Sequence, residues 1–260
     1  MRRSSVRLRL WASHSIGKGF MRSFAANVFV LQFLLFFAIY AQGTVKLQTF
    51  QGNETSRFAA ELARISNSVY KEYPYLYDVE DDDQFYLTKF CHSPEAKLCL
   101  AFDGTNIIGY AIGVPLEAYS QSFQQPFFDF KLDVQNFFYL GELALLPAYR
   151  EQGTGKRMLL QIEELVKKEG KYPQMCLVHI DESKILTNRP ANYISLSTFW
   201  SQIGYEQYSN LSLNIEWKHV GESCVSTHTL IYWIKSLDIM SIKKREKLDL
   251  EYNLFDPFEF

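Results

Sequence analysis

Apolar residues recur with two different periods along the chain, and the change from one to the other predicts alternating strands and helices. Asp103 and Gly104, a pair typical of hairpin turns, divide one apolar run into two predicted strands. The last two apolar runs predict a closing hairpin. The runs that predict strands are 44–50, 96–119, 137–147, 174–180, 210–220 and 224–237.

Apolar residues three and four positions apart predict four helices between these strands. The stretch 120–136, which contains Pro126, is predicted to be a polar and aromatic loop. The predicted helices are 53–73, ending near Pro74; 78–94, beginning with the acidic run 80–83; 155–170; and 193–204, with Gly204 at its C-terminal end.

The order of predicted elements indicates the fold class. A strand, a glycine-rich turn, a helix and another strand make up 137–180, and such a βαβ unit places its two strands parallel. Hairpins on either side make the sheet mixed. We therefore predict an α/β domain over 44–237, preceded by a basic and hydrophobic segment at 1–43 and followed by a tail at 238–260.

The charge of the chain is unevenly distributed. The formal net charge is -2 at pH 7, but seven of the 27 lysines and arginines precede Glu54, the first acidic residue, so 20 basic residues stand against 29 acidic ones after that point. An acidic body argues against nucleic acid as the main partner. It suits a cationic substrate, and equally an ordinary solvated surface.

The N-terminal segment allows three interpretations. Residues 24–40 form an uncharged apolar run after an arginine-rich start without acidic residues. A secretory signal or short membrane anchor, or an organelle transit peptide, would make the protein exported or membrane-anchored, with membrane association through 24–40. Upstream sequence before a true start at Met21 would leave it cytoplasmic.

The four cysteines, at 91, 99, 176 and 224, show no CxxC pair and no metal-ligand spacing, so no metal site is expected. Cys176 lies in an apolar run and is expected in the core. This cysteine usage fits a reducing compartment without requiring one.

The tetrapeptide GTGK at 153–156 lies where phosphate-binding loops occur, between a predicted strand and a predicted helix. It fits neither nucleotide motif. A P-loop would need glycine in place of Arg150 and Ser or Thr in place of Arg157, and a dinucleotide fingerprint would need glycine in place of Met158. A simpler glycine loop remains, whose helix-start N–H groups suit a pyrophosphate; a plain strand-to-helix turn is the alternative.

Two stretches together resemble the GNAT acetyltransferase superfamily. The first, 142–159, matches the acyl-CoA-binding pattern of that family at Leu143, Leu145, Pro147, Tyr149, Arg150, Gly153 and Gly155. The second, 197–206, matches a later helix of the family at Phe199, Trp200, Gly204 and Tyr205. Segments 139–150 and 189–200 also resemble a bacterial GNAT subgroup of unknown substrate.

The resemblance implies a mixed, mostly antiparallel sheet with a central, splayed pair of parallel strands, flanked by helices. It implies that the backbone of Leu143, Ala144 and Leu145 binds the pantetheine arm of acetyl-CoA, and that Asn192 and Trp200 lie near that arm. The pyrophosphate is expected on the loop Arg150, Glu151, Gln152, Gly153, Thr154, Gly155 and Lys156.

The chemistry implied is direct attack of an amine on the thioester, which needs a base for the ammonium proton. Glu142 is predicted as that base because burial in an apolar strand would raise its pKa, and His179 is a weaker candidate. Trp200 stands where many relatives have a tyrosine acid, so Tyr193, or Tyr205, is predicted to replace it.

We therefore predict an N-acyltransferase that moves an acetyl group from acetyl-CoA to a small-molecule or protein amine. The alternative is a non-catalytic acyl-CoA-binding or interaction module on the same fold. The sequence names neither the amine nor the oligomeric state.

Overall fold

A computed structural model of the protein describes residues 45–78, 84–185, 189–191 and 193–237. The predictions for 1–43, for the acidic run 80–83, for Asn192 and for the tail 238–260 concern residues outside these ranges. Within the described part of the chain, no helix has the length and apolar character needed to cross a membrane.

Seven strands form one sheet in the order β1-β2-β3-β4-β5-β7-β6. Neighbours are antiparallel except β4 and β5, which are parallel, so the prediction of a mixed, mostly antiparallel sheet is confirmed. The strands are β1 (Lys46–Gln51), β2 (Lys97–Asp103), β3 (Asn106–Pro115), β4 (Phe137–Leu145), β5 (Gln174–Ile180), β6 (Glu206–Lys218) and β7 (Val225–Ser236).

The parallel pair β4–β5 comes apart part-way along its length. Phe137, Phe138 and Tyr139 pair with residues of β5, and the pairing ends there, although both strands continue. Beyond that point β4 pairs only with β3, and β5 only with β7. The predicted splayed pair is therefore present, and its gap opens between 140–145 and 177–180.

In the part of the chain that the structure describes, five α-helices flank the sheet: α1 (Ala59–Val69), α2 (Gln84–Cys91), α3 (Gln121–Asp129), α4 (Thr154–Glu169) and α5 (Leu196–Gln202). A 3-10 turn at Gly52–Phe58 leads into α1, so the helix predicted from 53 has its first part more tightly wound. α1 also ends at Val69, before the predicted Pro74.

The prediction of a loop at 120–136 is wrong in part, because α3 lies within this stretch. Phe123 and Phe127, four residues apart, are both buried on one side of this helix. Pro126 lies inside α3 and costs it one backbone hydrogen bond, which is why the sequence favoured a loop. Burial of the two aromatic rings outweighs that loss.

Two cores lie on opposite faces of the sheet. The first, which we call the α1 face, is covered by α1, α2 and α3; the second, the α4 face, is covered by α4 and α5. Leu62 and Phe127 are buried in the first, and Ile162 and Trp200 in the second. Cys176 is buried on the α1 face, as predicted for a core cysteine.

A β-bulge at Gly141 decides which face each later residue of β4 meets. Phe137 and Tyr139 face the α1 side, and the register with β3 then skips one residue between Leu140 and Glu142. The extra residue reverses the alternation, so that Glu142 and Ala144 also face the α1 side. Without the bulge, the carboxylate would point toward α4.

Candidate active site

Glu142 is buried at the beginning of the splay, and both its oxygens have partners. The hydroxyl of Tyr110, on β3, donates to Oε2. Ser66 Oγ, on α1, lies 3.2 Å from Oε2 and 3.4 Å from Oε1. Burial raises the pKa of Glu142 to about 7, although both hydrogen bonds act in the opposite direction. Near neutral pH this carboxyl group can therefore both accept and release a proton.

Two tyrosines from the segment after α1 lie across the splay. The hydroxyl of Tyr70 reaches the backbone of Leu143 on β4, and that of Tyr75 reaches the backbone of Ile180 on β5. Their rings meet edge to face with centroids 4.9 Å apart. The two diverging strands are thus bridged by aromatic side chains, where a paired sheet would have backbone hydrogen bonds.

A second polar network is centred on Glu182, which follows β5. Its Oε1 lies 2.8 Å from His179 Nε2, and accepts hydrogen bonds from Tyr193 Oη at 2.9 Å and Ser195 Oγ at 3.0 Å. Burial acts to raise the pKa of Glu182, but these hydrogen bonds outweigh it and hold the pKa below its usual value. His179 Nδ1 in turn lies 3.2 Å from the hydroxyl of Tyr75, which links this network to the splay.

The loop after β4 offers backbone N–H groups and open space. α4 begins at Thr154, one residue before the predicted start, and its N-cap Gly153 has φ +75, a left-handed conformation that favours glycine. Gly153 supplies no capping side chain, and a Cβ on Gly155 would meet no atom of the described residues within 4 Å. The first N–H groups of α4 are thus available to an anion, with the positive end of the helix dipole behind them.

Arg150, predicted at the pyrophosphate, points elsewhere in this structure. Its Nη1 forms an ion pair with Glu72 Oε2 at 2.6 Å, and its Nε donates to the Leu145 carbonyl at 2.9 Å. Both side chains are more than a third exposed, so the pair is weak. It connects the phosphate-loop side of the site to the segment that carries Tyr70 and Tyr75.

Comparison with known proteins agrees with this geometry. The family model for the acetyltransferase (GNAT) family matches residues 62–183, which contain most of α1, the splayed strands, the glycine loop and Glu182. Over these residues, which are a little under half of the chain, the sequence matches the GNAT acetyltransferase family. No curated protein sequence matches it.

Three solved structures are similar to this chain at low identity. Arabidopsis thaliana NAA60 in complex with a bisubstrate analogue is 12% identical, covers 74% of this chain and 99% of its own, and has a TM-score of 0.49. A GNAT acetyltransferase from Staphylococcus aureus Mu50 is 16% identical, with 74% and 100% coverage and a TM-score of 0.47. PaiA N-acetyltransferase from Thermoplasma acidophilum, in complex with coenzyme A, is 14% identical, with 74% and 99% coverage and a TM-score of 0.41.

The residues present suit acetyl-CoA, the cosubstrate that the sequence resemblance implies. Gly153 and Gly155 leave room for a pyrophosphate at the start of α4. Trp200, predicted near the coenzyme A arm, is buried on the α4 face, and its Nε1–H has no hydrogen-bond partner among the described residues. An unpaired buried donor is unusual in folded proteins. These features support acyl transfer as the general chemistry of the chain.

Several residues of the site were not predicted from the sequence. Ser66, Tyr75, Tyr110 and Glu182 come from α1, the following segment, β3 and the end of β5, and only the fold brings them together. Tyr110 alone had a local indication, since it is a polar aromatic residue inside an apolar strand. The other three read as ordinary solvent-facing residues.

One groove among the described residues lies away from this site. It has a volume of about 400 Å³ and runs between the end of α4 and the start of β2. Its buried cation, Lys97, already forms an ion pair with Glu169 at 2.5 Å. None of the predicted site residues lines it, and its charge is satisfied, so it carries no part of the proposed chemistry.

Proposed function

We propose that the chain is an N-acyltransferase that transfers the acetyl group of acetyl-CoA to an amine by direct attack. The observation that carries the proposal is Glu142, a carboxyl group buried at the opening of the splay with its pKa raised to about 7 by burial. A general base works best when its pKa lies near the operating pH. The bulge at Gly141 turns this group to the α1 side of the sheet, opposite α4.

The cosubstrate would be held by the backbone of the chain. The N–H groups from Gln152 to Lys156 are assigned to the pyrophosphate, and the edge of β4 that faces the splay at Leu143, Ala144 and Leu145 to the pantetheine arm. Supporting this is the loss of pairing between β4 and β5 beyond Tyr139, which leaves that edge without a strand neighbour. Acetyl-CoA supplies the activated acetyl thioester; the chain supplies position and a proton acceptor.

Glu142 takes the ammonium proton of the acceptor, and the resulting neutral amine can attack. Tyr110 and Ser66 hold the carboxylate in place and stabilise its charged form. Tyr193 was predicted as the acid for the leaving thiolate, but its hydroxyl already donates to Glu182, and burial raises its pKa. We therefore assign no acid role to Tyr193, and the thiolate is expected to be protonated by solvent.

Release of free thiol from acetyl-CoA with a panel of primary amines tests the proposal. The wild type is expected to turn over at least one amine, and Glu142→Gln is expected to lose about 100-fold or more in kcat/KM. Both proteins should bind coenzyme A equally well, which separates loss of the base from loss of the fold.

The alternative, a non-catalytic acyl-CoA-binding module, is favoured by Trp200 in place of the expected tyrosine. Coenzyme A binding without turnover of any amine would establish that alternative. Turnover that Glu142→Gln leaves unchanged would keep the enzyme and remove Glu142 as its base.

A further inference from the structure

Glu182 has one oxygen fully engaged and the other available. The three described hydrogen bonds to this carboxylate all end on Oε1. Among the described residues, Oε2 accepts none, and the side chain is 11% exposed. The carboxylate is thus fixed in orientation by His179, Tyr193 and Ser195, while Oε2 receives no hydrogen bond from the described residues. A preorganised carboxylate of this kind binds a cation with little loss of side-chain entropy.

Aromatic rings surround this carboxylate. The rings of Tyr73 and Tyr193 meet edge to face with centroids 4.6 Å apart, and Tyr193 is hydrogen-bonded to Glu182. Burial raises the pKa of Tyr73, and the charge of Glu182 raises it further, so the Tyr73 ring lies near the same carboxylate. A carboxylate flanked by tyrosine rings is a suitable binding site for an ammonium group.

The chain itself supplies a cation to these rings. The guanidinium carbon of Arg189 lies 5.5 Å from the centroid of the Tyr193 ring, and its charge lowers the pKa of Tyr73 against the effect of Glu182. Arg189 is exposed, so this contact is reversible. The aromatic face therefore accepts a cation in this structure, although one from the protein.

The Glu182 site lies next to the proposed reaction centre. Tyr75 separates the two carboxylates. Burial is the main cause of its raised pKa, and the charges of Glu142 and Glu182 raise that pKa further. His179 joins Tyr75 to Glu182 through its two ring nitrogens. An acceptor whose reacting nitrogen lies at Glu142 would therefore extend past Tyr75 toward Glu182.

We propose that Glu182, with the rings of Tyr73 and Tyr193, binds a second ammonium group of the acceptor, which makes the acceptor an aliphatic diamine. The inference rests on the proposed function, because it assumes that the reacting amine lies at Glu142. It assigns Glu182 to specificity, with no part in the proton transfer. The acidic body of the chain, 20 basic against 29 acidic residues from Glu54 onward, also favours a cationic acceptor.

Three acceptors of equal chain length test the proposal: putrescine, n-butylamine and γ-aminobutyrate. The wild type is expected to show a kcat/KM for putrescine at least about tenfold above that for n-butylamine, with γ-aminobutyrate the poorest. In Glu182→Gln the ratio of putrescine to n-butylamine should fall to about one. Glu61→Gln, which removes an exposed glutamate paired with Arg64 on α1, is the matched control and should keep the wild-type ratio.

Two further variants guard against misfolding of the Glu182 variant. Tyr193→Phe keeps the ring and removes one of the three hydrogen bonds, so it should lower the ratio only in part. Arg189→Gln should lower the KM for putrescine, since it removes a competing cation. A wild-type ratio near one, a preference for γ-aminobutyrate, or an Arg189→Gln variant that loses putrescine would overturn the inference.

Calorimetry separates this inference from the proposed function. Putrescine is titrated into the coenzyme A complex of the wild type and of Glu182→Gln, with binding at least about tenfold tighter to the wild type as the expected result. That difference without any acetyl transfer would retain the cation site and reject the enzyme. Equal binding by both proteins, alongside active transfer, would retain the enzyme and reject the site.

Discussion

The two sides of the site are built in different ways. The proposed cofactor side, from Leu143 to Lys156, relies on backbone: a strand edge that has no strand neighbour beyond Tyr139, two glycines and the first turn of α4. The acceptor side relies on side chains, with Glu142 and Glu182 each held by partners from distant segments. The contrast suggests a common way to bind acetyl-CoA combined with an individual way to choose the amine.

The sharpest way to break the cofactor side is Gly155→Asp, which places a carboxylate where the pyrophosphate is expected. The affinity for coenzyme A should fall about 100-fold, because two anions would share the start of α4. Titration calorimetry with coenzyme A measures the change. Gly155→Ala is the matched control: a Cβ there meets nothing within 4 Å, so the alanine variant should bind nearly as well as wild type. Equal affinities for the Asp and Ala variants would contradict the loop assignment.

The acceptor side depends on the bulge in β4, and Gly141→Ala tests that dependence. A Cβ at this position would overlap the ring of Phe90, which is fully buried. We expect the free energy of unfolding to fall by about 1–3 kcal/mol, as for other overpacked cores, measured by urea denaturation. Adding Phe90→Leu should restore part of the loss. Additive losses in the double variant would show that this contact is not the cause.

Burial of Glu142 should also be visible in stability. Its pKa is raised in the folded protein, so the folded state holds the proton more tightly than the unfolded state between about pH 4.5 and 7. Stability from this group is therefore full at low pH and is lost as the pH rises through about 7. Glu142→Gln has no group to ionise here and so avoids this loss of stability. It should be more stable than wild type at pH 8, by an amount on the order of 3 kcal/mol or less. A constant difference between the two proteins across this pH range would refute the raised pKa.

The smallest effect is expected where the two sides meet, at the ion pair of Glu72 with Arg150. Glu72→Gln frees the guanidinium for the pyrophosphate, and we expect coenzyme A to bind about two- to fivefold more tightly, with the melting temperature little changed. Glu61→Gln again serves as the control, because its pair with Arg64 lies on the exposed surface of α1. Weaker binding by Glu72→Gln would mean that the pair positions Arg150 rather than restrains it.

The same contrast explains what could be predicted from the sequence. The strands, α4 and the glycine loop can be predicted from local periodicity and from residues whose conformational preference is local, such as Gly153 at its positive φ. The splay was predicted from resemblance to a family. The proposed role of Glu142 was predicted from the chemistry that the resemblance implies and from its place in an apolar strand. The helix α3 was not predicted, because Pro126 disfavours a helix locally. The burial of Phe123 and Phe127 that stabilises α3 depends on tertiary packing, which the local sequence does not reveal.

The acceptor side could not be read from the sequence for a physical reason. Glu182 and Tyr193 are eleven residues apart with no shared periodicity, and Ser66 and Glu142 are separated by 76 positions. Such contacts are fixed by the fold as a whole. The bulge at Gly141 adds a further difficulty, because one extra residue reverses the alternation from which faces are normally predicted.

The pH dependence of acetyl transfer by the wild type and Glu142→Gln tests the central claim most directly. The claim is that a buried carboxyl group with its pKa raised to about 7 accepts the proton of the acceptor amine. The kcat/KM of the wild type should rise with pH and level off above about 7, because Glu142 must lose its own proton before it can accept another. Glu142→Gln should be about 100-fold slower, and its kcat/KM should not show this rise with pH. A Glu142→Gln variant that keeps both the wild-type rate and the rise of kcat/KM up to about pH 7 would contradict the account.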